Sequence, residues 1–208
     1  MRGTVRDPLE QLRWLDVGEG HCPLGEIFSV SFFRGLGTEE VLRRFGTGAQ
    51  EGVRMSFGAL RDRVENLLPQ SDGGAGGQYV GVLEAGEWSV AVELSGWEAT
   101  LPDVAERLSH ACEMVAVTRH DYAEHDFVYA VDGSFVTGFN AHTPGYRFGS
   151  DPEALNSRIR AIGVDPEQDE MCLDDPIATS FALAAEITGV VFAPDTLERP
   201  LLVGSVST

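Results

Sequence analysis

Two His-Asp dipeptides, His120-Asp121 and His125-Asp126, are the residues in this sequence best suited by type and spacing to do chemistry. A histidine beside a carboxylate can act as a general base with an orienting group, or the pair can supply metal ligands. The flanking pattern predicts strand, turn and strand, however, and side chains five residues apart on such a bend need not converge. We therefore favour a polar hairpin loop here, and keep a metal-dependent or small-molecule enzyme or sensor as the alternative.

Arg147 belongs to the same alternative, because it lies in the acidic half of the chain and could bind an anionic ligand there. An arginine among so many carboxylates is more simply explained by a structural ion pair. The ion pair is the interpretation that we favour.

Other catalytic motifs are incomplete. Gly35-Leu36-Gly37 lies between a predicted strand and a predicted helix, but Glu39 and Glu40 would lie where a pyrophosphate has to bind. The chain has no lysine, which removes the phosphate-loop lysine and any Schiff-base lysine. His21-Cys22 is a poor nucleophile pair because adjacent side chains rarely face each other. We predict no catalytic residue, no cofactor and no metal, and the protein is more simply explained as a non-enzyme.

The charge balance restricts the partners. Thirty-three acidic residues against fifteen basic ones give a formal net charge of −18. Such an excess opposes binding to nucleic acid backbones and to anionic membranes, and it favours a basic protein. The densest acidic stretch is the predicted partner-binding surface, with a solvated loop as the simpler alternative. Its members are Asp165, Glu167, Asp169, Glu170, Asp174 and Asp175.

The pattern of apolar residues predicts one α+β domain over residues 1–208. Its core is a mostly antiparallel sheet of about six strands with helices packed on one face. Asp132-Gly133 is the strongest hairpin signal between two of these strands. The predicted strands are Ile27–Phe33, Gln78–Glu84, Trp88–Leu94, Cys112–Arg119, Phe127–Val131 and Ser134–Phe139.

Helices are predicted before, between and after the strands. Thr38–Gly46 has a possible cap, two acids in its first turn and a terminal glycine. Ser150-Asp151-Pro152-Glu153 predicts a capping box for a helix that ends at Gly163, and Asp175-Pro176 opens a helix that ends at Gly189. Residues 164–208 are expected to form a C-terminal helical extension.

The expected compartment is the cytoplasm. No apolar run reaches about 18 residues, and the first twenty residues have no apolar core of a signal peptide. Three widely spaced cysteines do not form a secreted disulfide framework.

Several phrases of the sequence resemble a family of uncharacterised actinobacterial domains of unknown function. The resemblance covers roughly residues 12–163 and implies a shared fold, but no activity and no catalytic residue. The phrases are Phe32-Phe33-Arg34-Gly35-Leu36, Glu40-Val41-Leu42-Arg43-Arg44-Phe45-Gly46, Trp88-Ser89-Val90-Ala91-Val92-Glu93, Gly96-Trp97, Asp132-Gly133, Thr137-Gly138-Phe139 and Arg147-Phe148-Gly149-Ser150-Asp151-Pro152.

These observations predict a non-enzymatic acidic protein-interaction module, regulatory or immunity-like, that binds a basic protein partner. The alternative is the enzyme or sensor that uses the His120–Asp126 region. A third possibility, mimicry of nucleic acid by acidic side chains, predicts competition with DNA for a basic protein. The oligomeric state stays open.

Overall fold

The computed structural model of the chain describes residues 9–16, 22–46, 52–67, 78–120, 125–167 and 175–206. Nine strands in these ranges form one sheet in the order β2-β9-β3-β4-β1-β5-β6-β7-β8. Every pairing of neighbouring strands is antiparallel. The strands are β1 Phe28–Arg34, β2 Val53–Met55, β3 Tyr79–Ala85, β4 Trp88–Leu94, β5 Glu113–Arg119, β6 Asp126–Val131, β7 Ser134–Asn140, β8 Arg147–Phe148 and β9 Leu201–Ser205.

Five α-helices of the described residues pack on this sheet. They are α1 Thr38–Arg44, α2 Phe57–Leu67, α3 Pro102–Leu108, α4 Asn156–Ala161 and α5 Pro176–Thr188. Short 3-10 turns form at Arg13–Leu15, Glu98–Thr100 and Pro194–Glu198. None of the described helices is both long enough and apolar enough to span a membrane.

The antiparallel α+β class is confirmed, but the sheet has nine strands in place of about six. The three missed strands are β2, β8 and β9. The first two have three and two residues, too few to show an alternating pattern. β9 is apolar without alternation because it lies between β2 and β3 and is buried along most of its length. The segment 164–208, expected to be helical, therefore contributes a strand as well as α5.

The prediction that helices pack on one face is wrong, because both faces of the sheet are covered. Phe28, Val30 and Phe32 of β1 belong to the core that α2, α4 and α5 cover. Phe33, on the opposite face, packs with α1 and α3. Ser29 and Ser31 share the face of Phe33. They are fully buried, although the alternation of apolar and polar residues along β1 predicts that they are exposed. We call the two sides the α5 face and the α1 face.

The caps of two helices differ from the predicted ones. α4 begins at Asn156, several residues after the expected capping box, because the Ser150 hydroxyl donates to the Phe135 carbonyl of β7 at 3.0 Å. α5 begins and ends as expected, with Gly189 in the left-handed conformation. Its first backbone N–H groups are nevertheless bound by Asp16, from far along the chain, and not by Asp175.

Two hairpins align the central strands. Asp132 and Gly133 both have positive φ, as a two-residue turn between β6 and β7 requires, so this predicted hairpin is confirmed. β3 and β4 are joined through Gly86 and Glu87, because β3 extends one residue beyond its predicted end at Glu84. In the resulting register, the end of β4, the start of β1 and the end of β5 lie side by side, and every second side chain there points to the α1 face.

Candidate functional site

A cleft of about 280 Å³ opens on the α1 face, between the sheet and the segment that connects β4 to α3. Small-molecule sites typically start at about 300 Å³, so the cleft suits one group of side-chain size. Its walls come from the β4–α3 connection, from the end of β5, from the start of β6 and from β8. The lining residues are Trp97, Thr100, Leu101, Pro102, Thr118, His120, Asp126, Val128 and Phe148.

One corner of the cleft is aromatic. The rings of Trp97 and His120 meet edge to face, with centroids 4.8 Å apart and planes at 81°. Phe148 stacks on Phe135 with centroids 5.4 Å apart, which fixes its ring at the side of the cleft. The negative ring faces of such side chains attract cations.

The polar part of the cleft consists of hydroxyl groups and one carboxylate. Thr118 donates to Thr100 across the base of the cleft, at 3.1 Å between the two hydroxyl oxygens. Asp126 is the acid among the lining residues, and Asn140 donates to it at 3.4 Å. Asp126 is thus the one lining residue with a carboxylate, and no arginine is among the residues that line the cleft.

The mouth of the cleft is apolar. Leu101 and Phe148 both line it, and 43% and 51% of their respective surfaces are exposed. Large apolar side chains exposed side by side at a cavity are typical of surfaces that bind a partner. Tyr146, exposed to 86%, lies two residues before Phe148 in the chain.

A buried glutamate supports the wall of the cleft from below. Glu93 of β4 is only 2% exposed, and its two carboxyl oxygens accept the backbone N–H groups of Glu98 and Ala99, at 3.2 and 3.3 Å. These residues lie between Trp97 and Thr100, which line the cleft. Burial raises the pKa of Glu93 to about 7, an effect that the two backbone N–H groups partly oppose.

Small and polar residues on the neighbouring strands make room for this arrangement. Ser29 of β1 pairs in register with Glu93 on one side and with Thr118 on the other. A row of polar side chains thus crosses three strands directly beneath the Glu98–Thr100 turn. Because serine and threonine are short, the turn can approach the sheet closely enough to reach the Glu93 carboxyl group.

The structure brings together only part of the predicted histidine and aspartate cluster. His120 and Asp126 line the cleft, whereas His125 packs against His142 with ring centroids 4.6 Å apart. The backbone N–H of His120 donates to Nδ1 of His125 at 3.4 Å. Asp121 lies outside the described residues. Within the part of the chain that the structure describes, no group of three or more His, Cys, Asp or Glu side chains is placed to hold a metal ion.

Arg147 has a structural role and does not line the cleft. Its guanidinium group donates to the carbonyls of Pro144, Pro152 and Pro166, at 3.1, 3.0 and 2.8 Å. The predicted ion pair is therefore replaced by three carbonyl contacts. Those with Pro152 and Pro166 join β8 to the segments before and after α4. An anion would have to displace these contacts.

The predicted acidic surface is described only in part, since Asp169, Glu170 and Asp174 lie outside the described residues. Glu167 forms an ion pair with Arg160 at 2.7 Å. Asp175 forms one with Arg13 at 3.1 Å. Asp165 accepts the backbone N–H of Glu167. Two of the three described acids therefore already have a basic partner within the chain.

The described cysteines are not placed for chemistry. Cys112 is buried in the core, and burial raises the pKa of its thiol. Burial likewise raises the pKa of Cys22. Raised pKa values reduce the thiolate fraction on which nucleophilic attack depends. His21 and Cys172 lie outside the described residues.

Sequence reasoning missed Glu93, Trp97 and Thr118. Glu93 is the next-to-last residue of an alternating strand, where its charge indicates an exposed face. The available signal was Gly96-Trp97 directly after that strand, because an aromatic residue in a short connection has to pack against something nearby.

The chain belongs to DUF6461, a family of unknown function, whose model matches residues 7–206. The match extends well beyond the roughly 12–163 that the resembling phrases cover, so the segment with α5 and β9 is part of the family's shared fold. Searches of curated proteins and of solved structures found no match.

Proposed function

We propose that this DUF6461 protein is a recognition module that binds a basic protein partner by taking one of its cationic side chains into the cleft. The observation that carries the proposal is the lining of the cleft. It combines the Asp126 carboxylate with the rings of Trp97 and Phe148. A carboxylate beside aromatic faces is a favourable site for a guanidinium or ammonium group.

Two further observations support a polypeptide ligand. The volume of about 280 Å³ suits one side chain, and the apolar Leu101 and Phe148 at the mouth stay exposed unless the ligand continues beyond its charged group. Residues on either side of a basic residue in a partner would cover them. Large apolar side chains that are exposed together are typical of protein interaction sites.

The acidic surplus has a different part in this proposal. A net charge of −18 attracts a basic partner over several ångströms and raises the association rate. The stretch from Asp165 to Asp175 contributes to this attraction, although Glu167 and Asp175 are already paired within the chain. The role is regulatory or immunity-like and cytoplasmic, without catalysis.

Blocked tripeptides test the proposal directly by NMR titration. Acetyl-Leu-Arg-Leu-amide should shift the indole resonance of Trp97 and bind at least about tenfold more tightly than the same peptide with citrulline, the uncharged isostere of arginine. Asp126→Asn should remove most of this preference. Asp103→Asn is the matched control, because Asp103 is exposed close to the cleft and does not line it. Equal affinities for the arginine and citrulline peptides would refute the proposal.

The second candidate function is a sensor for a small cationic molecule at the same cleft. His120 and Asp126 at its lining are the observation that favours it. Methylguanidinium separates the two candidates, since it carries the charge of arginine without a peptide. If it binds as tightly as the arginine tripeptide, the apolar mouth contributes nothing and the small-molecule function is supported.

A further inference from the structure

We infer that Glu93 is the positioning residue of the cleft, and that its carboxyl group sets the wall formed by Trp97 and Thr100. This inference deepens the proposed function and rests on it for the identity of the ligand. Glu93 itself does not line the cleft, so it acts through the residues that do.

The hydrogen bonds give the first step. The backbone N–H groups of Glu98 and Ala99 have their acceptors in the Glu93 carboxyl oxygens, and the residues on either side of this pair are Trp97 and Thr100. A hydroxyl contact from Thr118 to Thr100 fixes the far end of the same turn. The turn is thus attached to the sheet at two points, one of which is a titratable group.

The second step is electrostatic. Ionised Glu93 places a negative charge directly behind the wall of the cleft, where little water screens it. A cationic side chain in the cleft is stabilised by that charge, and by reciprocity its binding lowers the pKa of Glu93. Because the pKa of Glu93 in the free chain is about 7, the carboxyl group changes its charge near neutral pH.

The other groups near Glu93 are few. Glu98 of the turn is the charged neighbour, and it raises the pKa of Glu93. The adjacent strands face it in register with Ser29 of β1 and Val80 of β3, neither of which titrates. His120 and Asp126 line the cleft on its other side. His120 has to be controlled for in any measurement against pH.

The first experiment needs no ligand. In Glu93→Gln the side chain keeps its shape but loses one acceptor, so at least one of the amides of residues 98 and 99 should exchange about tenfold faster than in the unmodified chain at the same pH. The Trp97 indole resonance should shift as well. Unchanged exchange at both amides would overturn the positioning role, whether or not any peptide binds.

The second experiment measures the affinity for acetyl-Leu-Arg-Leu-amide from pH 6 to pH 8, in the unmodified chain and in a His120→Gln background. Affinity should rise by about fivefold or more with pH, since the charge behind the wall grows. Glu93→Gln should abolish the rise, whereas Glu98→Gln, which leaves the Glu93 carboxyl group in place, should keep it. A rise that survives Glu93→Gln would refute the coupling. If no peptide binds but the exchange result holds, the proposed function fails and the positioning role of Glu93 stands.

Discussion

The buried carboxyl group of Glu93 should make the stability of the ligand-free protein depend on pH in a predictable direction. The perturbation is Glu93→Gln, which mimics the protonated side chain at every pH. The pKa of Glu93 is about 7 in the folded chain against 4.5 ordinarily, a difference of about 2.5. At about 1.4 kcal/mol per unit, this corresponds to about 3 kcal/mol of folding free energy.

The sign follows from which state holds the proton. Between pH 4.5 and 7 the folded chain keeps the Glu93 proton that the unfolded chain releases, so protonation stabilises the fold. This contribution is fully present below about pH 4.5 and is lost as the pH rises through about 7. The unmodified protein should therefore lose stability relative to Glu93→Gln over that window. Above about pH 7 the difference in unfolding free energy should have changed by about 3 kcal/mol in favour of the variant.

Urea unfolding at a series of pH values from 5 to 8 measures the effect. Most of the change falls in this range, which lies above the isoelectric point of about 4.5 and so avoids the least soluble conditions. The quantity of interest is the difference in unfolding free energy between variant and unmodified chain, from which all other titrating groups cancel. Glu84→Gln provides the baseline, because it removes an exposed carboxylate from β3, the strand beside β4. A difference curve that is flat within about 1 kcal/mol, or one that slopes the other way, would refute the reasoning.

Two further predictions concern stability alone. Asp16→Ala removes the carboxylate that accepts two N–H groups at the start of α5, at 3.0 and 2.7 Å, and should cost about 1–2 kcal/mol in urea unfolding. Arg13→Gln, which breaks an exposed ion pair of the same segment, should cost under about 0.5 kcal/mol, and equal costs would contradict the capping role. Gly149→Ala should destabilise the fold by well over about 1 kcal/mol, because φ is +126° and a Cβ would lie 2.3 Å from the Val136 carbonyl oxygen. Gly163 also has a positive φ, but an added Cβ would meet no atom within 4 Å. Comparing the thermal melts of Gly149→Ala and Gly163→Ala therefore separates the steric clash from the backbone strain.

The six longer strands could be predicted because each is long enough for its apolar side chains to show a period of two. The shortest strands, β2 and β8, could not, since pairing at a sheet edge and not composition defines them. The covering of both faces was missed for a different reason. Ser29, Ser31 and Glu93 look solvent-exposed in the sequence, but they are buried because a turn and two helices pack against their side of the sheet.

The polarity of that buried side has a local explanation. A backbone turn laid on a sheet brings N–H groups that need acceptors, and burying them without partners is costly. Glu93 provides those acceptors at the cost of a raised pKa, and Thr118 satisfies the Thr100 hydroxyl group. The polar residues in these alternating strands therefore indicate where the β4–α3 connection packs on the sheet. They do not indicate a solvent-exposed face.

The two His-Asp dipeptides show how strand register decides a site. Val117 of β5 pairs with Phe127 of β6, so the next residues in opposite directions, Thr118 and Asp126, lie side by side on one face. His120 is two residues beyond Thr118 and therefore returns to that same face. The cleft consequently takes the histidine of the first dipeptide and the aspartate of the second, whereas His125 packs against His142. The dipeptides suggest that each histidine acts with the aspartate next to it. The antiparallel pairing of β5 with β6, which a single sequence does not specify, instead brings together His120 and Asp126, which are six residues apart.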